Sequence, residues 1–411
     1  MKEKLLFIAH TVPLFDSNSA DLRIYSILSI LSKSYDIVYL AKYPASSESI
    51  KNDMYVSRLS DLGIIVYVGN HSIRHILKSN NFKAAFLEYY HVAEGYLQKI
   101  KYLQPSCPVI VDSLDVCYLR FFRKYKITKN RQDLKLAEDI KKVELDIYAQ
   151  ADITLTVTEE DARVLQKDNK NITVRILPNV HSLVQSESDR NKNEIIFVGS
   201  FGHDPNVDAV LYFCKDILPR IRKVIPEVKF TIVGGNPPPQ VRALSNDFIT
   251  VTGHVPSTTP YLQKSCVSVA PLRYGAGMKG KIGEAMAHGL PVVTTSIGAE
   301  GMGLIDRENV IIADTPETLS NAVIELMLND GLYKNIQNNA IDHIKNNYTT
   351  DKIVVIVEDI LKEVDGLHVK KLSIVNKYKM FANYVLHNMK RNLKDLYYRK
   401  IQILFRTSSP S

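Results

Sequence analysis

Short apolar runs that end in loops, each followed by a helical stretch, recur along this chain, and that rhythm restricts it to parallel sheets covered on both faces. Residues 4–10 form such a run, and residues 36–40, 64–68, 84–88, 109–112 and 152–158 repeat it. A strand buried on both faces has no polar alternation to show, so it reads as an unbroken apolar stretch. The pattern pauses at residues 182–193, SLVQSESDRNKN, which are polar and charged with little to bury. It resumes at 194–198, 230–233, 249–252, 267–271 and 310–313. At 411 residues the chain exceeds one ordinary core and fits two domains. The expected divisions are an α/β domain over 1–181, a linker over 182–193, a second α/β domain over 194–350, a closing helix over 351–366 and a tail over 367–411.

The densest signal lies in residues 271–301, PLRYGAGMKGKIGEAMAHGLPVVTTSIGAEG. Gly275, Gly277 and Gly280 permit positive φ and close approach to a ligand. A helix from about Gly280 to His288 ends at Gly289, with Pro291 beyond. Its N-terminus points into the glycine loop, where loop amides, the positive end of the helix dipole, Lys279 and Lys281 converge on a diphosphate-sized charge trap. Glu284 follows Lys281 by three residues and shares its helix face. A carboxylate there suits two vicinal hydroxyls, which suggests a nucleoside diphosphate with Glu284 on the ribose. The alternative is that Glu284 caps the helix and the lysines are solvated.

GAGMKGKIGEAMAHGLPVVTT followed by GAEG resembles the donor-site segment of the retaining family-4 glycosyltransferases, group 1 enzymes of the GT-B fold. The likeness extends upstream through Phe197-Val198-Gly199-Ser200-Phe201, Pro205-Asn206-Val207-Asp208, Ile232-Val233-Gly234-Gly235 and Thr252-Gly253-His254-Val255. The resemblance implies two Rossmann-like parallel-sheet domains facing a cleft, and transfer of a sugar from a nucleoside diphosphate sugar to a saccharide or lipid-linked acceptor. It also implies a donor-binding set of Gly199, Ser200, Gly234, His254, Val255, Gly275, Gly277, Met278, Lys279, Lys281, Glu284 and Glu300, with Lys281 and Lys279 catalytic. A turn at His254 with no ligand is the alternative there, and Asn206 or Asp208 can cap the helix that follows. The family commonly carries a Glu-x7-Glu pair; Glu284 matches the second member and Ala276 stands at the first, a departure shared by a branch with a GxGxKxK loop.

In the first half, no G-x-G-x-x-G follows residues 4–10, which argues against a dinucleotide at that turn. Asp21 can cap a helix over 22–32. In the resembling family this loop faces the cleft, making Asp16, Ser19 and Arg23 acceptor-side candidates beside the reading of an ordinary surface loop. Two later strand ends carry polar groups: His91 lies past 84–88, and Asp112 and Asp115 lie at and past 109–112. The family often has a His-Asp pair after the later strand, where this chain has Leu114-Asp115. His91 and Asp115 are therefore the candidate catalytic residues of this half, a hydrogen-bonded structural histidine being the other reading.

No apolar run approaches the roughly 18 to 20 residues of a membrane span, and residues 5–9 are too short for a signal peptide, so a cytoplasmic protein is expected. Cys107, Cys117, Cys214 and Cys266 show no metal spacing and read as buried thiols. No D-x-D occurs, so no metal and no cofactor beyond the nucleotide sugar is expected. The net charge of +8 is local: residues 367–411 hold ten Lys or Arg against Asp395, leaving −1 for the rest. Apolar residues recur there every three to four positions, as in a basic amphipathic helix that lies on an anionic membrane surface or packs on the enzyme itself. No nucleic-acid-binding pattern accompanies them. Two rival functions remain at this stage, a non-catalytic GT-B subunit that binds nucleotide or scaffolds a partner, and a nucleotide-sugar epimerase.

Overall fold

The computed structural model describes residues 2–44, 49–69, 71–185, 190–367 and residue 385. Apart from Leu367 and Val385, the basic tail expected over 367–411 lies outside the described residues.

The first sheet has seven parallel strands: β1 (Lys4–Ala9), β2 (Asp36–Ala41), β3 (Ile65–Val68), β4 (Ala84–Glu88), β5 (Val109–Asp112), β6 (Ile153–Thr156) and β7 (Val174–Ile176), in the order β3-β2-β1-β4-β5-β6-β7. The second has six: β8 (Glu194–Val198), β9 (Lys229–Val233), β10 (Ile249–Gly253), β11 (Val267–Ala270), β12 (Val292–Thr294) and β13 (Ile311–Ile312), in the order β10-β9-β8-β11-β12-β13. The continuous apolar runs are explained by burial, since every residue of β8 and of β11 is buried. In each sheet the strand order reverses beside the first strand, β1 against β4 and β8 against β11. A crevice opens at the carboxyl ends of the strands at such a point. The two crevices face one another.

The helix Thr350–Leu367 returns to the first domain. Its face of Ile353, Val357, Ile360, Leu361 and Val364 is buried in the same apolar cluster as Leu5, Ile27 and Tyr39. Arg175 holds Glu363 in a forked ion pair at 2.6 Å, and Lys83 pairs with Asp365. Met278, Ile282, Ala285 and Met286 of the second domain join that cluster together with Leu177 and Val180, which closes the base of the cleft.

Three local expectations change. The first helix runs Ser19–Leu31 and is capped by Asn18, whose side chain accepts from the Asp21 N–H at 2.9 Å. Asp21 instead accepts from the Leu14 N–H at 3.0 Å and tethers the preceding loop. Helices also occupy Tyr90–Leu103 and Cys117–Thr128, where the sequence announces none.

Candidate active site

β11 delivers the chain into the loop 271–279, and the helix Gly280–Ala287 begins at its end. Gly277 holds φ +68°, a conformation that costs a residue with a β-carbon. The turn folds the loop back on itself, so that Lys279 Nζ donates to the Gly277 carbonyl at 2.6 Å. Two residues on, Lys281 Nζ donates to Asn206 Oδ1 and lies 4.8 Å from the centre of the Phe197 ring. Among the described residues neither ammonium is paired with a carboxylate; their acceptors are a backbone carbonyl and a side-chain amide.

Burial pushes the Lys281 ammonium down to about 7, with Lys279 adding repulsion and Glu284 opposing both. Lys279 is also lowered by burial, against the pull of Glu300 and Asp161. Glu284 is raised by burial and steadied by the Thr258 hydroxyl, which donates to Oε1. Two cations and one carboxylate are thus gathered at the start of one helix, Lys279 at its cap and Lys281 and Glu284 on one face of its first turns.

These groups line a cleft of about 940 Å³ between the domains. Gly199, Ser200, Gly234, His254 and Val255, from the ends of β8, β9 and β10, line its second-domain wall with Gly275, Gly277 and Met278. Asn206 ties that wall together, donating to the Ser200 carbonyl at 2.7 Å while accepting from Lys281. Its sequence position suggests a helix cap, yet its amide bridges the β8 turn and the lysine helix within that wall. Thr258 and Arg120 also line the cleft and carry no sequence signal.

On the opposite wall the cleft is lined by Asp16, Ser19, His91 and Asp115. Arg120 Nη1 donates to Asp115 at 2.6 Å, so this carboxylate is paired. His91 stands against Tyr89 and His10, with ring centroids 5.3 and 5.7 Å away, and burial followed by repulsion from His10 lowers its pKa. Glu144 reaches the same wall from the helix Arg131–Gln150 and accepts the N–H groups of Cys117 and Tyr118 at 3.1 and 2.9 Å. Burial pushes its carboxyl up to about 8.

Two expected site residues are elsewhere. Arg23 is 1% exposed and inside the first domain, donating to Asp112 at 2.6 Å and to the Leu177 carbonyl at 2.7 Å. A long cationic side chain on the inner face of its helix meets a strand-end carboxylate before it can reach solvent. Glu300 does not line the cleft; both its oxygens accept from Arg123 of the first domain, at 2.7 and 2.9 Å. The glycine loop also differs from the expected amide nest. The Gly277 N–H donates to Asp161 Oδ2 at 3.1 Å, and a β-carbon on Gly280 or Gly283 would collide with Ser19 or His181. Those two glycines admit the first domain, at its first helix and at its last residue.

Residues 192–329 match the family described as "Glycosyl transferases group 1", and the second domain therefore carries a group 1 glycosyltransferase domain. A protein of Klebsiella pneumoniae described as "Uncharacterized 44.6 kDa protein in cps region" is 26% identical over 218 residues, 51% of this chain and 55% of that one. The match thus spans about half the length of that curated relative. Sucrose-phosphate synthase from Thermosynechococcus elongatus superposes with a TM-score of 0.70 at 13% identity, over 89% of this chain and 100% of its own. The pneumococcal O-GlcNAc transferase GtfA in complex with UDP and GlcNAc gives 0.66 at 11% identity, over 89% and 99%. Anabaena Alr3699/HepE in complex with UDP and glucose gives 0.64 at 11% identity, over 88% and 100%. The architecture is GT-B, two Rossmann-like parallel-sheet domains around a cleft.

Proposed function

We propose that the protein transfers a sugar, a hexose in the simplest case, from a nucleoside diphosphate sugar to a saccharide or lipid-linked saccharide acceptor with retention at the anomeric carbon. The observation that carries this reading is the pair of ammonium groups lining the cleft, buried Lys279 and half-buried Lys281, whose hydrogen bonds go only to neutral acceptors. A buried cation without a counter-charge is costly, and a diphosphate supplies two negative charges where they are lacking. When the bond from the anomeric carbon to the diphosphate oxygen breaks, the departing group gains charge beside these lysines and is stabilised more than the bound substrate. Glu284, oriented by Thr258, lies within one turn and accepts the ribose hydroxyls. Retention without a covalent intermediate requires the acceptor hydroxyl to attack on the face from which the diphosphate leaves, so its proton passes to a departing diphosphate oxygen; on the opposite wall His91, and Asp115 fixed by Arg120, are left to contact the sugars.

The lysines occupy the role a divalent cation plays elsewhere, so transfer is expected to persist in chelator. The resemblance to the retaining family-4 enzymes, and to their GxGxKxK branch, supports this assignment. The relative in a capsule (cps) region supports a place in bacterial surface polysaccharide assembly. Among the described residues no helix is long and apolar enough to cross a membrane. A peripheral position on the inner face of the plasma membrane, through residues 367–411, is part of the proposal; equal flotation on anionic liposomes of the full chain and of a chain ending at Gly366 would remove it.

Isothermal titration against UDP, GDP, ADP and CMP compounds, followed by transfer assays with the sugar of the tightest binder, tests the whole. Failure of every nucleotide to bind rejects it. Ala276, where the resembling family has its first glutamate, favours a second reading as a nucleotide-binding scaffold. Hydrolysis or transfer of a bound donor excludes that reading.

A further inference from the structure

The loop that leads into Lys279 is held by the opposite domain at three points. Arg123, on the helix Cys117–Thr128, donates from Nη1 to the Gly275 carbonyl at 2.6 Å and forks onto both oxygens of Glu300 at 2.7 and 2.9 Å. Asp161, in the first turn of the helix Glu159–Asp168, accepts the Gly277 N–H at 3.1 Å. A β-carbon at Gly277 would stand 2.8 Å from the Leu114 carbonyl and 3.0 Å from Asp115 Cβ, so the loop lies flat on the first domain there. The Gly277 carbonyl, on the far side of the same residue, is what fixes Lys279 Nζ. Among the described residues, the hydrogen bonds of residues 275–277 thus run to the first domain or to Lys279.

We infer that Arg123, Glu300 and Asp161 are positioning residues that build the diphosphate pocket from the opposite domain, so that closure of the cleft and assembly of the pocket are one event. The inference rests on the diphosphate reading of Lys279 and Lys281. Arg123 acts through its fork: one nitrogen fixes the Gly275 carbonyl while both hold Glu300, 25 residues further along the second domain. A lysine at that position keeps the charge and loses the geometry. Because none of the three groups needs to touch the ligand, their effects on anion binding need not follow their own charge.

That difference in sign is the test. Inorganic pyrophosphate, a probe common to every nucleotide class, is titrated calorimetrically into the full chain at pH 8. Arg123→Ala is expected to weaken binding by about tenfold, and Arg123→Lys nearly as much, since the bidentate contact is lost in both. Glu300→Gln removes a negative charge and on charge alone would tighten anion binding; loss of the fork is instead expected to weaken it by about threefold or more. Arg163→Ala, which breaks an exposed ion pair with Glu159 on the Asp161 helix, is expected to leave affinity unchanged. Melting curves read alongside separate misfolding from mispositioning, and Glu300→Gln keeps shape and volume. Affinity in Glu300→Gln equal to or above wild type, or full affinity in Arg123→Lys, overturns the inference while leaving the diphosphate pocket intact. No binding of pyrophosphate to wild type overturns the pocket, and this inference with it.

Discussion

Lys281 links donor affinity to pH in a way its position allows to be worked out. The ammonium falls from an ordinary 10.5 to about 7, chiefly through burial and then through Lys279. That fall corresponds to roughly 5 kcal/mol held against the charged form in the empty cleft. A bound diphosphate restores the charge, so binding above pH 7 must take up a proton. At pH 8 about nine in ten empty sites are uncharged, and uptake approaches about 0.9 proton per ligand. Affinity for a nucleoside diphosphate sugar, whose diphosphate does not itself titrate here, should be flat well below pH 7, fall about fivefold from pH 7 to pH 8, and at pH 8 stand about tenfold below its low-pH plateau. Calorimetry in buffers of different ionisation enthalpy measures the uptake directly. Lys281→Met should abolish it and weaken binding at pH 6.5 by roughly 10- to 100-fold, the loss of one charge-assisted hydrogen bond. Stability shows the opposite face of the same shift. The unfolded chain keeps the Lys281 proton up to about 10.5 and the folded chain only to about 7, so this group makes stability rise with pH across that window. Lys281→Met, free of the buried charge, should melt higher than wild type below pH 7. An affinity independent of pH between 6.5 and 8.5, or proton uptake that survives Lys281→Met, would refute the reasoning.

Two further outcomes separate the parts of the pocket. Glu284→Gln should weaken UDP by about tenfold, the cost of a charged acceptor lost from a hydroxyl pair, and leave inorganic pyrophosphate bound no more weakly in parallel titrations, since the change removes a negative charge near the anion; equal losses for both would take Glu284 off the ribose. Gly283→Ala places a β-carbon into the His181 ring, which is itself buried, and should either destabilise the chain by about 1–3 kcal/mol in urea unfolding or raise the radius of gyration in solution scattering as the domains part. A variant with wild-type stability and wild-type dimensions would show that the contact yields freely.

How much of this was legible in the chain depended on how far each residue's partner lies along it. The strands were readable because burial on both faces leaves an apolar run that needs no partner to be recognised. Lys279, Lys281 and Glu284 were readable for a related reason, since a loop and one helical turn fix their relative places whatever packs around them. The helix Cys117–Thr128 was not: its cap residue Val116 offers no side-chain acceptor, and its first amides are closed by Glu144, 27 and 26 residues away. Arg23 and Glu300 were misread on the same ground, for Asp112 lies 89 residues from the one and Arg123 177 from the other. The glycines show the limit most clearly. A spacing of three, Gly277, Gly280 and Gly283, states that one side of the loop and helix must be bare, and a ligand or a second domain satisfies that equally well. The fold chooses the second domain's neighbour: the bare side meets Leu114, Ser19 and His181, while Lys279 and Lys281 also line the cleft. Small residues and charge are therefore a single device, in which one short helix and its cap dock the two halves together and line the cleft with cations for whatever anion they enclose.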